Sequence, residues 1–403
     1  MSTRNINVVV VGVSVAGLKV AKTIAALSKQ GFPNLSVTAI DKNEYFYHAI
    51  AAPRATVDLE FGKKLFFPLA DILQEFELNP AEPKHKFIQT TLTSINNAQK
   101  TIQLSNGQTV AFDYLVLATG AKNKSPAHYE GATMAEVHRN MEETFESIKE
   151  AKDILIIGGG AVGIEIAGEI ATAYKDKKIT LVHAAERLMP LNFKHGISNG
   201  AVDKLQRLGV EVVLNEKIKV PEDVLFNCRV RPLTLTGTSG REYASDLQIL
   251  ATGTTVHTEY MESLEGELGE HLRNDWGGIK VRKTLQANSE SLPNIFVPGD
   301  CNALPAGYKF AYLVGAMSTV VATNIIAMIN AGFDEDSTKK PTLVEYTSGP
   351  MNIMFVPIGP NLGVAQIMGI AFGKSFMGNV LAGFKSKDYF YAKIAAEVTD
   401  VVK

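Results

Sequence analysis

At 403 residues, 46% of them hydrophobic, the chain has material for two or three domains with sizeable cores. A formal charge of −2 supplies no field to draw in nucleic acid, so no nucleic-acid partner is expected. The two cysteines, Cys228 and Cys301, stand far apart, which argues against a disulfide framework or a metal site and for free thiols in a reducing compartment.

The opening residues Met1-Ser2-Thr3-Arg4-Asn5 pass at once into an apolar run, so no secretory leader is expected. With Ser2 in place of glycine no N-myristoylation is expected, and with Val401-Val402-Lys403 at the close no retention or peroxisomal address is expected. A soluble cytosolic protein is the expectation. Residues 6–11 form a β-branched run that meets the turn Gly12-Val13-Ser14-Val15-Ala16-Gly17, and an amphipathic stretch over 18–27 follows. A second β-rich run over 35–40 ends on Asp41. Strand, tight turn, helix and strand in that order make a βαβ unit of a parallel sheet. Gly12 permits the turn and Gly17 lets helix and strand pack closely. The helix start at Val15 and Ala16 offers N–H groups and a positive dipole end to a pyrophosphate. Ser14 replaces the usual second glycine with a small hydroxyl. Asp41 stands where an acid accepts hydrogen bonds from a ribose, and a turn cap is its plainer alternative.

The pattern then repeats. A polar hairpin at Ser105-Asn106-Gly107 precedes a buried-looking strand that ends Ala118-Thr119-Gly120. Residues 153–157 meet Gly158-Gly159-Gly160-Ala161-Val162-Gly163, a full G-x-G-x-x-G directly after a strand and opening a helix over 162–174. The following strand, 179–182, ends on His183 where an acid is expected, and Arg187 and Glu186 follow closely. Without a carboxylate to repel a 2′-phosphate, NADH and NADPH both stay open. A second hairpin near Gly237-Thr238-Ser239-Gly240 precedes another strand ending Ala251-Thr252-Gly253. A repeat of this extent is far more specific than one glycine turn. It predicts an α/β chain whose second dinucleotide domain, 136–280, is inserted in the first, 1–135 and 281–340. A polar link at 334–340 sets off a C-terminal piece, 341–403.

The strand Asn294-Ile295-Phe296-Val297-Pro298 ends on Gly299-Asp300. With the two turns before it, this layout resembles the pyridine nucleotide-disulfide oxidoreductase superfamily. Within that superfamily it is similar to the apoptosis-inducing-factor-like group that includes ferroptosis suppressor protein. The closer likeness rests on His48-Ala49-Ile50-Ala51-Ala52-Pro53-Arg54-Ala55, Phe61-Gly62-Lys63-Lys64, Thr180-Leu181-Val182-His183, Lys309-Phe310-Ala311-Tyr312 and Lys385-Ser386-Lys387-Asp388-Tyr389-Phe390. The resemblance implies glutathione-reductase-type Rossmann-like domains with FAD on the first and NAD(P)H on the second, plus a small α+β C-terminal domain. It implies that Asp300 meets the ribityl chain, that Arg54 and the backbone near Leu92 touch FAD, and that Lys309 sits by the flavin ring. A cation there would stabilise the negative charge of the reduced ring. It also implies that Glu165 lies near the nicotinamide–flavin junction. His48 reaches the flavin or is structural. Glu169, one turn further along the helix, reads as a solvated or structural charge.

The superfamily's Cys-x4-Cys pair is missing, so electrons are expected to leave the flavin for a quinone, for oxygen or for another protein. The leading expectation is an FAD-dependent NAD(P)H:quinone oxidoreductase. A reductase of a small electron-transfer protein and a slow redox-sensing, cell-death-regulatory flavoprotein are the alternatives. Residues 346–373 contain no Asp, Glu, Lys or Arg, but Gly349, Pro350, Pro357, Gly359, Pro360 and Gly363 would break a spanning helix. Short antiparallel strands packed on the flavin domain are predicted there. The apolar stretch 375–384, flanked by Lys374, Lys385 and Lys387, adds a weak peripheral membrane contact as an expectation.

Overall fold

The computed structural model describes residues 5–28, 32, 34–77, 84–190, 192–221, 226–305, 309–332, 341–347 and 353–399. The calls on Ser2, on the link 334–340, on Gly349 and Pro350, and on the last three residues fall outside them. The chain divides into two compact units. The first comprises Met1–Phe46, Pro68–Lys122 and Thr255–Gly349; the second comprises Tyr47–Phe67, Asn123–Thr254 and Pro350–Lys403.

The first unit is built on a five-stranded parallel sheet in the spatial order Ile295–Phe296, Tyr114–Leu117, Ile6–Val11, Leu35–Asp41, His85–Gln89. Val8, Val9 and Val10 are fully buried, as a central parallel strand covered on both faces requires. The helix Val15–Ser28 packs on the helix Ala311–Asn330. There Ser318 donates to the Ala16 carbonyl at 3.1 Å and Lys19 to the Gly315 carbonyl at 3.0 Å. By length and composition alone, Tyr312–Asn330 could cross a membrane, yet half of it is buried within this unit.

The second unit repeats the design with four parallel strands, in the order Glu211–Val213, Lys178–Val182, Asp153–Ile157, Leu247–Leu250. Its sheet falls in sequence between two strands of the first, which is the expected insertion.

The unit boundaries differ from the sequence expectation. Residues 255–280 belong to the first unit, because Thr255–Val256 pairs with Ala121–Lys122 and the helix Met261–Leu268 packs on Leu92–Asn96. Glu267 fixes that helix by accepting the N–H groups of Asn97 and Ala98, both at 2.8 Å. Residues 47–67 belong to the second unit, where Gly62 closes against Ala55 and Met141.

The C-terminal strands Met354–Ile358, Leu362–Ile367 and Ile370–Phe372 are antiparallel as predicted. They pack on helices Ala161–Ala173 and His195–Arg207 of the second unit, however, and not within the unit of the first turn. Small residues explain the choice. A Cβ at Gly168 would overlap the backbone of Ile358 and Gly359, and one at Gly200 would overlap Gly373. The buried Lys204 ties the same contact by donating to the Gly363 carbonyl at 2.5 Å.

Candidate functional site

The first turn is fixed at both ends by the need for no side chain. Gly12 has φ +92°, and a Cβ there would run into the Ala118 carbonyl oxygen; a Cβ at Gly17 would run into the Gly12 carbonyl oxygen. Between them Ser14 and Val15 are exposed at the start of the helix, while Ala16 faces inward. Asp41, at the strand end, accepts the Val13 N–H at 2.7 Å and the Asn43 N–H at 2.9 Å. Burial pushes its carboxyl up from the ordinary value against those hydrogen bonds. Asp41 thus holds the turn together as well as standing where a ribose is expected.

Nearby backbone follows the same strand ends. Gly120 takes φ +67° just after Tyr114–Leu117, and Thr90, two residues before Leu92, donates its N–H to the Asp41 carbonyl at 2.8 Å. Asp300 is exposed after the left-handed Gly299. Lys309 lies two residues ahead of the helix Ala311–Asn330 and folds back, donating to the carbonyls of Asp300 and Asn302, each at 3.0 Å. Its ammonium also sits 4.6 Å from the ring centre of Trp276. Burial holds the Lys309 ammonium below its usual range, with Asp300 opposing.

The second turn reproduces the first almost bond for bond. Gly158 has φ +116°; a Cβ on it would overlap the Ala251 carbonyl oxygen, and one on Gly163 the Gly158 carbonyl oxygen. Gly160 caps the helix Ala161–Ala173 with open space where a side chain would stand, and Val162 is exposed beside it. His183 takes the place of Asp41. Its Nδ1 accepts the Gly159 N–H at 3.1 Å, so the ring is neutral at that nitrogen, and burial lowers its pKa. Sequence reading missed this role, although the alignment of His183 with Asp41 in the repeat was the signal. Arg187 donates to the Phe193 carbonyl at 3.1 Å. Gly253 closes the neighbouring strand at φ +117°, as Gly120 does in the first unit.

The helix after this turn carries two buried acids, Glu165 and Glu169, each 2% exposed. Glu169 is therefore not solvated, because it has recruited partners: Arg54 Nε donates to it at 2.8 Å and the Tyr389 hydroxyl at 2.8 Å. Glu165 is paired with Lys385 at 2.5 Å. Burial raises the Glu165 carboxyl, Lys385 opposes that, and Glu169 reinforces it. Arg54, expected on FAD, also donates to the Ser386 carbonyl at 3.1 Å, and its guanidinium lies 5.4 Å from the Tyr389 ring centre. His48 is buried with Nε2 2.7 Å from the Tyr389 carbonyl, and burial lowers its pKa. The tail thus contributes Lys385 and Tyr389 to one charge cluster with His48, Arg54, Glu165 and Glu169. Sequence reading gives Tyr389 no role and Lys385 only a place flanking the apolar stretch 375–384. The available signal was two carboxylates on a helix otherwise apolar, which burial obliges to find cations.

Both turns fit a dinucleotide: side-chain-free ends, a strand-end acceptor already oriented, and an exposed helix N-terminus. Neither cysteine is placed for thiol chemistry, since both are buried and burial pushes both thiols up, Cys228 to about 12.

Comparison with known proteins agrees. The family model described as pyridine nucleotide-disulphide oxidoreductase matches residues 6–325. The chain is 28% identical over 391 residues to Ferroptosis suppressor protein 1 of Taeniopygia guttata, covering 96% of this chain and 95% of that protein. It is 29% identical over 392 residues to Apoptosis-inducing factor homolog A of Dictyostelium discoideum, covering 93% and 88%. In fold it is similar to the sulfide:quinone oxidoreductase from Aquifex aeolicus, with a TM-score of 0.70 at 18% identity over 98% of this chain and 92% of that one. The chain belongs to the pyridine nucleotide-disulphide oxidoreductase family, and it is an NAD(P)H-dependent flavoprotein oxidoreductase whose cofactors are FAD and NAD(P)H.

Proposed function

We propose that this oxidoreductase delivers the electrons of NAD(P)H to a quinone-type acceptor. The observation that carries the reading is the state of the thiols. Cys228 and Cys301 are both free and buried, so neither offers an accessible thiol that could take electrons onward. The likeness to a sulfide:quinone oxidoreductase over nearly the full length of both chains supports a quinone in particular.

FAD supplies two-electron acceptance when bound, and NAD(P)H supplies the hydride. In this reading Gly12, Ser14, Val15, Ala16 and Gly17 hold the FAD pyrophosphate, Asp41 its ribose, and the backbone at Leu92 and Gly120 its flank. Asp300 receives the ribityl chain, and Lys309 presents a positive charge to the ring. Trp276 and the two carbonyls that hold the Lys309 ammonium keep it in place before any ligand arrives. Gly158, Gly160, Ala161, Val162, Gly163, His183 and Gly253 receive the nicotinamide dinucleotide. His183 orients the turn and leaves no carboxylate to repel a 2′-phosphate. Arg54, Glu165 and His48 share the charge cluster of the second unit, and this reading assigns Arg54 to FAD and Glu165 and His48 to the chemistry.

Anaerobic stopped-flow of the yellow protein with NADH and with NADPH, followed by mixing with a ubiquinone analogue or oxygen, tests the proposal. Rapid bleaching and fast reoxidation by the quinone are expected. Reoxidation by oxygen alone would make it an oxidase, and a persistent reduced complex inert to both would make it a sensor; either result overturns the quinone reading.

A further inference from the structure

Trp276 is the chain's one tryptophan, and it stands 49% exposed on a turn of the first unit. A single exposed apolar side chain needs no explanation by itself. This one is singled out by the frame that holds it. Asn274 accepts the Gly277 N–H on its carbonyl at 2.9 Å and the Gly278 N–H on its side chain at 2.8 Å. Thr258 donates to the Gly277 carbonyl at 2.7 Å. Gly277 takes φ +86°, and a Cβ on Gly278 would strike the six-membered ring of Trp276, so the indole lies against bare backbone. The next residue ties this turn to the loop that carries the Lys309 carbonyls. Ile279 donates to the Cys301 carbonyl at 2.9 Å and accepts the Ala303 N–H at 2.7 Å. Asn302, between them, is fully buried and donates to the Val297 carbonyl at 3.1 Å. Indole and loop therefore belong to one hydrogen-bonded frame.

What the frame holds is a charge among neutral partners. Lys309 donates to the main-chain carbonyls of Asp300 and Asn302, each at 3.0 Å, and its ammonium lies 4.6 Å from the Trp276 ring centre, within cation–π reach. Carbonyl dipoles and an aromatic face attract a cation without cancelling it, so its full charge remains available to whatever lies beside it. A carboxylate would cancel it, and one is near, since the Asp300 charge already acts on the ammonium. Lysine carries its ammonium on a flexible stem. With the indole gone from one side, that ammonium can swing toward the Asp300 carboxylate or into water.

We propose that Trp276 is a positioning residue that keeps the Lys309 charge directed at the FAD ring and uncancelled, and so raises the reduction potential of the bound flavin. The inference rests on the reading that puts Lys309 beside the ring, and it deepens that reading by naming what sets the strength of the charge there. A cation at the ring favours its reduced, negatively charged form. The test is the midpoint potential of the FAD-loaded full chain, measured anaerobically against a reference dye. Lys309→Met should shift the two-electron equilibrium toward oxidised flavin by about tenfold or more, which is about 30 mV. Trp276→Leu should produce a shift of similar size, and Trp276→Phe, which keeps an aromatic face, should recover most of it. Trp276→Leu combined with Lys309→Met should shift no further than Lys309→Met alone. A potential that moves in Lys309→Met but not in Trp276→Leu overturns the inference and leaves the reading of Lys309 standing. So does a fall in Trp276→Phe as large as in Trp276→Leu, or a double variant that falls by the sum of the two. Loss of flavin from Trp276→Leu would mean that the indole holds the cofactor and not the charge, and overturns it as well. A potential unmoved by Lys309→Met overturns both the reading and the inference.

Discussion

The two glycine turns are the same device carried out with different chemistry. In each, a strand-end side chain accepts the N–H that follows the first glycine: Asp41 for Val13, His183 for Gly159. In each, two glycines lie where a Cβ would strike a carbonyl oxygen. They part at the helix that follows. Val15–Ser28 has no acid, whereas Ala161–Ala173 buries two. The backbone geometry is therefore common to both turns, and each turn's neighbourhood is individual. The second has tied itself by charge to distant parts of the chain.

The largest effect should come from breaking that charge difference. Lys385→Met leaves Glu165 buried without its cation, and loss of one partner of a buried pair costs about 3–5 kcal/mol. Denaturant titration measures the loss. Because the folded Glu165 carboxyl already stands above its ordinary value, its share of stability is fully present below the unfolded value and is lost as pH rises through the folded one. The variant should accordingly recover stability on acidification. The pair Lys385→Met with Glu165→Leu should regain most of the loss. A single variant as stable as the parent would mean that the second helix is no different from the first.

Next come the glycines. Gly12→Ala and Gly158→Ala each force a side chain onto a carbonyl at positive φ and should destabilise by about 1–3 kcal/mol. Under the proposed assignment, Gly12→Ala should lose the yellow colour. Gly158→Ala should keep FAD and weaken bleaching by NAD(P)H. If both variants lost the same cofactor, the assignment of one turn to each nucleotide would fail.

Smaller effects separate Asp41 from His183. Truncation to Ala strands two backbone N–H groups at Asp41 and one at His183, at about 1–3 kcal/mol each. Their pH signatures oppose each other. Asp41 has a raised folded value, so its share of stability is complete below the unfolded value near ~3.9 and fades as pH rises. His183 has a lowered one, so its share is complete above the unfolded value near ~6.5 and fades as pH falls toward the folded value. Thermal melts of parent and alanine variants across pH should show difference curves of opposite slope.

What sequence made legible follows from the range of the interactions. The turns, the strand ends at Gly120 and Gly253, and the insertion are written in contiguous residues, because φ-restricted glycines and β-branched runs act locally. The Glu165–Lys385 and Glu169–Tyr389 contacts span 220 residues and leave no periodic trace. The C-terminal strands could be read as strands, but their packing partner could not. That choice lies in Gly168 and Gly200, whose missing side chains mattered only once Gly359 and Gly373 had arrived against them. Residues 255–280 were misplaced for a related reason, since their anchor is the Glu267 carboxylate on Asn97 and Ala98, far back in the chain.

The finest test exchanges one turn for the other. The first turn carries Ser14 where the second carries Gly160, and a Cβ at Gly160 would meet nothing within 4 Å. Gly160→Ser should therefore leave stability within about 0.5 kcal/mol of the parent, as for a surface change. Its effect should fall on the ligand, because the hydroxymethyl group occupies space that backbone leaves open to a pyrophosphate. Titration with NAD(P)H followed by flavin bleaching should show weaker binding with FAD content unchanged. The reverse exchange, Ser14→Gly, should leave nicotinamide binding untouched and act only on FAD retention. Equal effects of both exchanges on one cofactor would show that the two turns, alike in geometry, do not divide the two nucleotides between them.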